Sequence, residues 1–389
     1  MRLHRRARVL ALWVATSAIA TSAIAGRQAG AQPALASTPA APGISALADT
    51  TFARLVRELS EPGGYFDTDN LISNERSVLH ALDDLEAAGA HGGAFIGVGP
   101  DQGFSYIAHT RSTLAFLLDV RRDNLRQHLF YKALFATARN RAEFLALWLG
   151  HPVPNDAARW DGARIEDILA WLDATPSSPE SQSRARERVH LALASLPVPL
   201  DSADRTTIAH IHDSFLRDGL ALRFTSFGRP PRPFYPTLRD LVLETDRRGR
   251  RRSYLADEAS FQYVKELQRR HRVIPVVGDL AGPHAMRAVA RELVARGITV
   301  QVLYTSNAED YVLRDGGFAR YVDNVRALPV DDRSVIVRSW FGGGVLPQSV
   351  PGYASTQLVQ PITAFVRRAA SAPWSYAEIV RWPHVPPRP

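Results

Sequence analysis

Gly97 and Gly99 follow a short apolar run and precede a helical pattern, and Asp119 stands 22 residues beyond Gly97 at the end of a second apolar run. Glycines between a strand and a helix let the backbone approach a ligand at the helix N-terminus, and an acid ending the next strand can accept both hydroxyls of a ribose. The chemistry this pattern points to is recognition of a nucleoside. A tight turn at 97–99 and a helix cap at Asp119 would use the same residues for shape alone.

Other polar groups fall on the same rim. Asn74 and Glu75 begin the helix that enters the first apolar run, where they reach the mouth of a pocket or cap that helix. Arg121, Asn124, His128 and Lys132 lie on or just before one helix, the last three at i, i+4 and i+8, so they share a polar face. His128 is a candidate general base, and a solvated face is the plainer use of the same spacing. Asp279, in GDLAGP, and Asn307, in SNAEDY, follow later apolar runs and open onto the edge where α/β sheets bind ligands, although turn and cap chemistry uses such residues too. The basic loop DRRGRRR at 246–252 either meets an anion or turns in solvent.

The chain contains no HExxH, no acidic calcium loop, no GxSxG elbow and no GxxxxGK[ST] loop. A metal enzyme, a serine hydrolase of that type or an NTPase therefore has no motif here, and no metal is expected. With no cysteine there is no disulfide, thiolate site or cysteine nucleophile.

These residues need a sheet to position them. Residues 94–98 and 114–120 are unbroken apolar runs of the kind found in strands covered on both faces, and the segment between them suits a crossover helix, which makes the pair parallel. The alternation resumes with strands at 273–277, 299–305 and 334–337. Pro275 cannot donate to a ladder, so its strand is bulged there or leaves that position unpaired. Met286, Val289, Ala290, Leu293 and Val294 form a helical stripe, and a helix is expected at 357–370. Residues 150–235 break the alternation with helical pieces at 165–172, 184–193 and 206–216, which reads as an insertion or lid. The fold class is α/β, a Rossmann-type, mostly parallel twisted sheet with helices on both faces and a helical insertion.

This arrangement resembles the class I, S-adenosylmethionine-type Rossmann methyltransferase fold. More narrowly, YFDTDNLISNE, GVGPDQGFSYI, DVRRDNLRQHLFYKALF, GRRRSYL, VVGDLAGP and YTSNAEDY are similar to segments of an uncharacterised bacterial family described as methyltransferase-like, in matching order over roughly 60–340. The resemblance implies S-adenosylmethionine as cofactor, with Gly97, Gly99 and Asp101 around its methionine part, Asp119 on the ribose, and Asn74 and Glu75 at the pocket mouth. Asp279, Asn307 and His128 are the catalytic candidates. Two positions depart from the pattern: Phe95 stands where an acid holds the cofactor's amino group, and Asp101 replaces the third glycine.

At 389 residues and 46% hydrophobic, the chain can bury the core of one large domain or two. Arg2, Arg5, Arg6 and Arg8 precede an apolar stretch at 9–25 that ends in small residues, the pattern of a secretory signal peptide over 1–31, with an uncleaved anchor as the alternative. Cleavage after Ala31 removes five arginines and no acid, lowering the formal charge from +8 to +3 and leaving nucleic-acid binding without support. A linker at 32–50, an α/β domain at 51–345 and a C-terminal extension at 346–389 complete the expected layout. The expectation is a periplasmic or secreted protein that touches membrane only through its leader and binds a small molecule. It is either a methyltransferase or a non-catalytic binding protein that kept the pocket.

Overall fold

Six strands make one sheet: β1 (Ala94–Gly97), β2 (Leu114–Asp119), β3 (Val273–Val277), β4 (Val300–Ser306), β5 (Val335–Trp340) and β6 (Thr356–Pro361). Their spatial order is β3-β2-β1-β4-β5-β6, with β1 to β5 parallel and β6 antiparallel to β5. The structure is a computed structural model describing residues 45–230, 232–342, 345–369 and 375–385. The expected leader at 1–31 and most of the expected linker lie outside the described residues.

Alternation along each strand divides the core in two. Phe95, Ala115, Leu117, Val302, Tyr304 and Val337 face a layer containing the helices Gly103–Thr110, Arg122–Thr137 and Arg141–Leu149. Ile96, Phe116, Leu118, Ile274, Leu303 and Ile336 face the helices Asp49–Glu58, Ala285–Arg296, Phe318–Arg326 and Ile362–Arg368. Burial on both faces explains why these strands read as continuous apolar runs. The result is a mixed α/β architecture with a mostly parallel sheet.

Pro275 is accommodated without a bulge. β3 pairs on one side only, with β2, and its register through Pro275 and Leu117 is unbroken, so the proline sits on an edge strand. The insertion contains the helices Ile165–Ala174, Pro179–Ala194 and Ser202–Asp218. Ile168, Leu172, Val189, Ile208, Ile211 and Phe215 bury it against the helical layer over the sheet, and its last stretch, around 224–235, reaches the sheet's carboxyl edge.

Two readings need correction. Residues 356–361 form strand β6, and only Ile362–Arg368 is helical. Gln357 and Gln360 are buried there, 2% and 1% exposed, because Gln357 donates to Glu75 and Gln360 to the carbonyls of Ile379 and Trp382; periodicity alone treats both as surface. β5 likewise runs past Val337 to Trp340, since Arg338 is buried against Glu309 and Ser339 against Glu75.

Candidate functional site

The carboxyl ends of β1 to β5 open into one cleft of about 690 Å³ that spans the point where the strand order reverses between β1 and β4. That volume lies within the range of small-molecule sites, and the position is the one where open α/β sheets bind ligands. Gly99, Asp119, Asp279, Asn307 and Asn74 line it. Four other candidates, Gly97, Asp101, Glu75 and His128, do not.

Each glycine of the first loop has its own cause. A Cβ on Gly97 would stand 2.4 Å from the ring of Phe95, so the buried phenylalanine that replaces the usual acid dictates this glycine by packing; one on Gly103 would stand 3.3 Å from the same ring, a tight contact. Gly99 has φ +85° and needs glycine for its backbone. Its carbonyl oxygen is held twice, by Asn124 Nδ2 at 3.0 Å and His128 Nε2 at 2.9 Å. His128 is 2% exposed, and burial lowers its pKa to about 4. A neutral imidazole donating from Nε2 fits this contact, which makes His128 a support for the loop rather than a base facing the cleft.

Asp101 turns away as well. Its carboxyl accepts from Tyr254 Oη at 3.1 Å, and burial pushes its pKa up to about 6. Asp119 remains on the cleft but is already engaged. Its Oδ1 accepts from Arg121 N at 2.9 Å and Nε at 3.3 Å, its Oδ2 from Nη2 at 3.4 Å, and the same guanidinium donates to the carbonyls of Thr68 and Asp69. One lone-pair site on Oδ2 is left for a ligand.

Asp279 is exposed, its Oδ1 accepting from Ala281 N at 2.9 Å. The loop it belongs to is held by Glu61, a residue sequence reasoning missed. Glu61 accepts from the backbone N–H groups of Asp279, His284 and Ala285 at 2.7–3.2 Å, satisfying the start of the helix Ala285–Arg296, and a Cβ on Gly282 would collide with it. Asn307 accepts from Ser306 Oγ at 3.3 Å. Ser306, the first residue of the SNAEDY segment expected on this rim, ends β4 with φ +52°.

Glu75 lies beneath the cleft rather than at its mouth. It is 1% exposed and accepts from the hydroxyls of Tyr304 (2.9 Å), Ser339 (2.5 Å) and Ser306 and from the amide of Gln357 (2.8 Å). Lys132 is far from this edge: its amine donates to Gln268 O at 2.5 Å and stands over Phe52, and burial lowers its pKa to about 7.

The 246–252 loop is consumed internally. Arg247 pairs with Asp84, Arg248 and Arg250 with Asp83, and Arg252 with Glu86, tying the loop to the helix Leu82–Ala87. Among the described residues no group of three or more His, Asp or Glu side chains could hold a metal ion.

A cleft at the crossover of a mostly parallel, helix-covered sheet defines an α/β protein with a small-molecule-sized site. The chain belongs to the family defined by the domain of unknown function DUF7790, whose model matches residues 71–196 and 200–380. No curated protein sequence matches it.

Proposed function

We propose that the cleft binds a nucleoside-bearing ligand of the S-adenosylmethionine type, on a Rossmann-like, methyltransferase-like sheet. The observation that carries the reading is the convergence of Gly99, Asp119 and Asp279 from the ends of β1, β2 and β3 on one cleft. The strand order follows the dinucleotide-binding pattern, with an antiparallel sixth strand. The residues fit the nucleoside end: Gly99 presents a glycine backbone, Asp119 retains an acceptor for a ribose hydroxyl, and Asp279 stands exposed on the adenine side. They do not supply the usual acid for the amino-acid end, where the buried Phe95 ring takes its place.

Such a cofactor would supply an electrophilic methyl group, and the protein's share of that reaction would be positioning and exclusion of water. A second reading, a non-catalytic binding protein, is favoured by a specific observation: His128 and Asp101 are turned into the structure, so neither histidine nor acid from the first loop meets the ligand. Export points the same way, because S-adenosylmethionine is made and used in the cytoplasm. N-terminal sequencing of the mature protein tests the leader, and an intact Met1 in a cytoplasmic fraction would refute export.

Calorimetric titration of the full chain with S-adenosylmethionine and S-adenosylhomocysteine tests the binding claim. Heat of binding is expected for at least one, weakened about tenfold or more in Asp119→Asn by loss of a charge-assisted hydrogen bond of roughly 1.5–3 kcal/mol. No heat at millimolar ligand would refute the claim.

A further inference from the structure

Beneath the β4–β5 end of the cleft lies a charge without a partner. Glu75 is enclosed, and the four groups bonded to it are three hydroxyls and an amide. Among the charges around it, Arg338 pairs with Glu309 (2.5 Å), Arg314 with Asp310 and Arg229 with Asp67 (2.7 Å), while Arg320 on the cleft wall donates to the Ala281 carbonyl and Arg232 lies over Phe234. Among the described residues no Lys, Arg or His forms an ion pair with Glu75. Burying a carboxylate without a counter-ion is costly, and four converging donors offset only part of that cost.

Two of those donors connect the buried charge to the cleft wall. Ser306 lines the cleft and gives its hydroxyl to Glu75. Its left-handed backbone, rare for serine, is the kind of local strain that clusters at ligand sites. Ser339 precedes Trp340, and Tyr376 Oη donates to the Ser339 carbonyl at 3.0 Å while its ring lies 6.0 Å from the indole of Trp340. Trp340 and Tyr376 both line the cleft.

Arginines cover several aromatic rings of this chain. Arg314 lies over Tyr311, Arg232 over Phe234, Arg338 over Phe365 and Arg368 over Trp382. Among the described residues none stands over Trp340 or Tyr376. The indole of Trp340, packed against Gly342 and lining the cleft beside a carboxylate without a counter-ion, offers a site for a weakly hydrated organic cation, attracted by the ring quadrupole and by a charge acting through a poorly screening interior.

We propose that the β4–β5 end of the cleft, formed by Trp340, Tyr376 and Ser306 above Glu75, is a subsite for an alkylated cation, an ammonium or a sulfonium centre. The inference does not depend on nucleoside binding, and an ammonium-bearing small molecule is the occupant it favours.

The test compares charged ligands with neutral counterparts on the full chain, read by calorimetry and by quenching of tryptophan fluorescence. Choline is set against 3,3-dimethylbutan-1-ol, and S-adenosylmethionine against S-adenosylhomocysteine. Choline is expected to bind at least tenfold more tightly than its neutral isostere, with the preference reduced in Glu75→Gln and in Trp340→Leu. If only the sulfonium compound shows such a preference over its thioether, the subsite stands and its occupant is a sulfonium donor. Loss of both nucleosides with the choline preference intact would refute the nucleoside reading and leave the subsite standing. Equal binding within both pairs, or no binding by any member, would overturn the proposal, as would a preference unchanged in a folded Glu75→Gln protein. Should that variant not fold, the wild-type isostere comparison and Trp340→Leu decide the matter.

Discussion

His128 Nε2 lies 2.9 Å from the carbonyl oxygen of Gly99, inside the protein and behind the cleft rather than in it. The contact makes a titratable side chain part of the loop that shapes the site, so the loop's integrity is tied to pH.

The sign follows from burial. His128, like His80, His109 and His212, has its pKa lowered to about 4 in the folded protein, while the unfolded chain protonates these groups near 6.5. Their contribution to stability is complete above about pH 6.5 and is lost as pH falls toward 4. Asp101, raised to about 6, acts oppositely: its contribution is complete below about 3.8 and disappears as pH rises through 6. His271 and His384 are lowered too, and these six histidines outweigh the four carboxyls that burial raises, Asp69, Asp84, Asp101 and Glu258, so chemical denaturation should show lower stability at pH 5 than at pH 7. His128→Gln, which keeps an amide donor for Gly99, should narrow that gap by about 1 kcal/mol or more. An unchanged gap would refute the assignment.

Lys132 gives a slope at the other end of the scale. Burial lowers its amine to about 7 against an ordinary value near 10.5, so the unfolded chain binds the extra proton between those values and stability should rise with pH across that window. Lys132→Met should flatten the rise in denaturation midpoints between pH 7 and 10; a parallel profile would count against it.

Gly97 separates packing from ligand contact. Gly97→Ala should cost about 1–3 kcal/mol, because the added methyl meets the Phe95 ring at 2.4 Å. Phe95→Leu in the same chain should recover part of that loss. If the double variant is no better than the sum of the single ones in urea denaturation, the glycine has another cause.

The Arg338–Glu309 pair, both side chains fully buried, fixes the helix Ala308–Arg314 to β5. Glu309→Gln should destabilise by about 3–5 kcal/mol by stranding the guanidinium, whereas replacing both by apolar residues of similar volume should cost far less. Equal losses in thermal unfolding would contradict this.

The strand-end positions were legible in the sequence because an apolar run followed by glycine, aspartate or asparagine marks a sheet's carboxyl edge regardless of distant contacts. Gly99, Asp119, Asp279 and Asn307 all reach the cleft on that logic. What the sequence hid was polar burial. Asn124, His128 and Lys132 look like a solvated face at i, i+4 and i+8, yet they are 1%, 2% and 4% exposed, each matched to a carbonyl from another segment. Glu75, Ser306, Ser339 and Gln357 meet only because β4, β5 and β6 lie side by side, and no local spacing records that. Arg121 likewise looked free to face a ligand, and Asp119 takes it.

The central claim is that the cleft between β1 and β4 holds a nucleoside-bearing ligand, and a crystal structure of the full chain grown with saturating S-adenosylhomocysteine tests it most directly. The account predicts the ligand in that cleft, its ribose against Asp119 and its adenine on the Asp279 side, with Gly99 at its other end. Ligand bound elsewhere, or a cleft holding only solvent at saturating ligand, would contradict it.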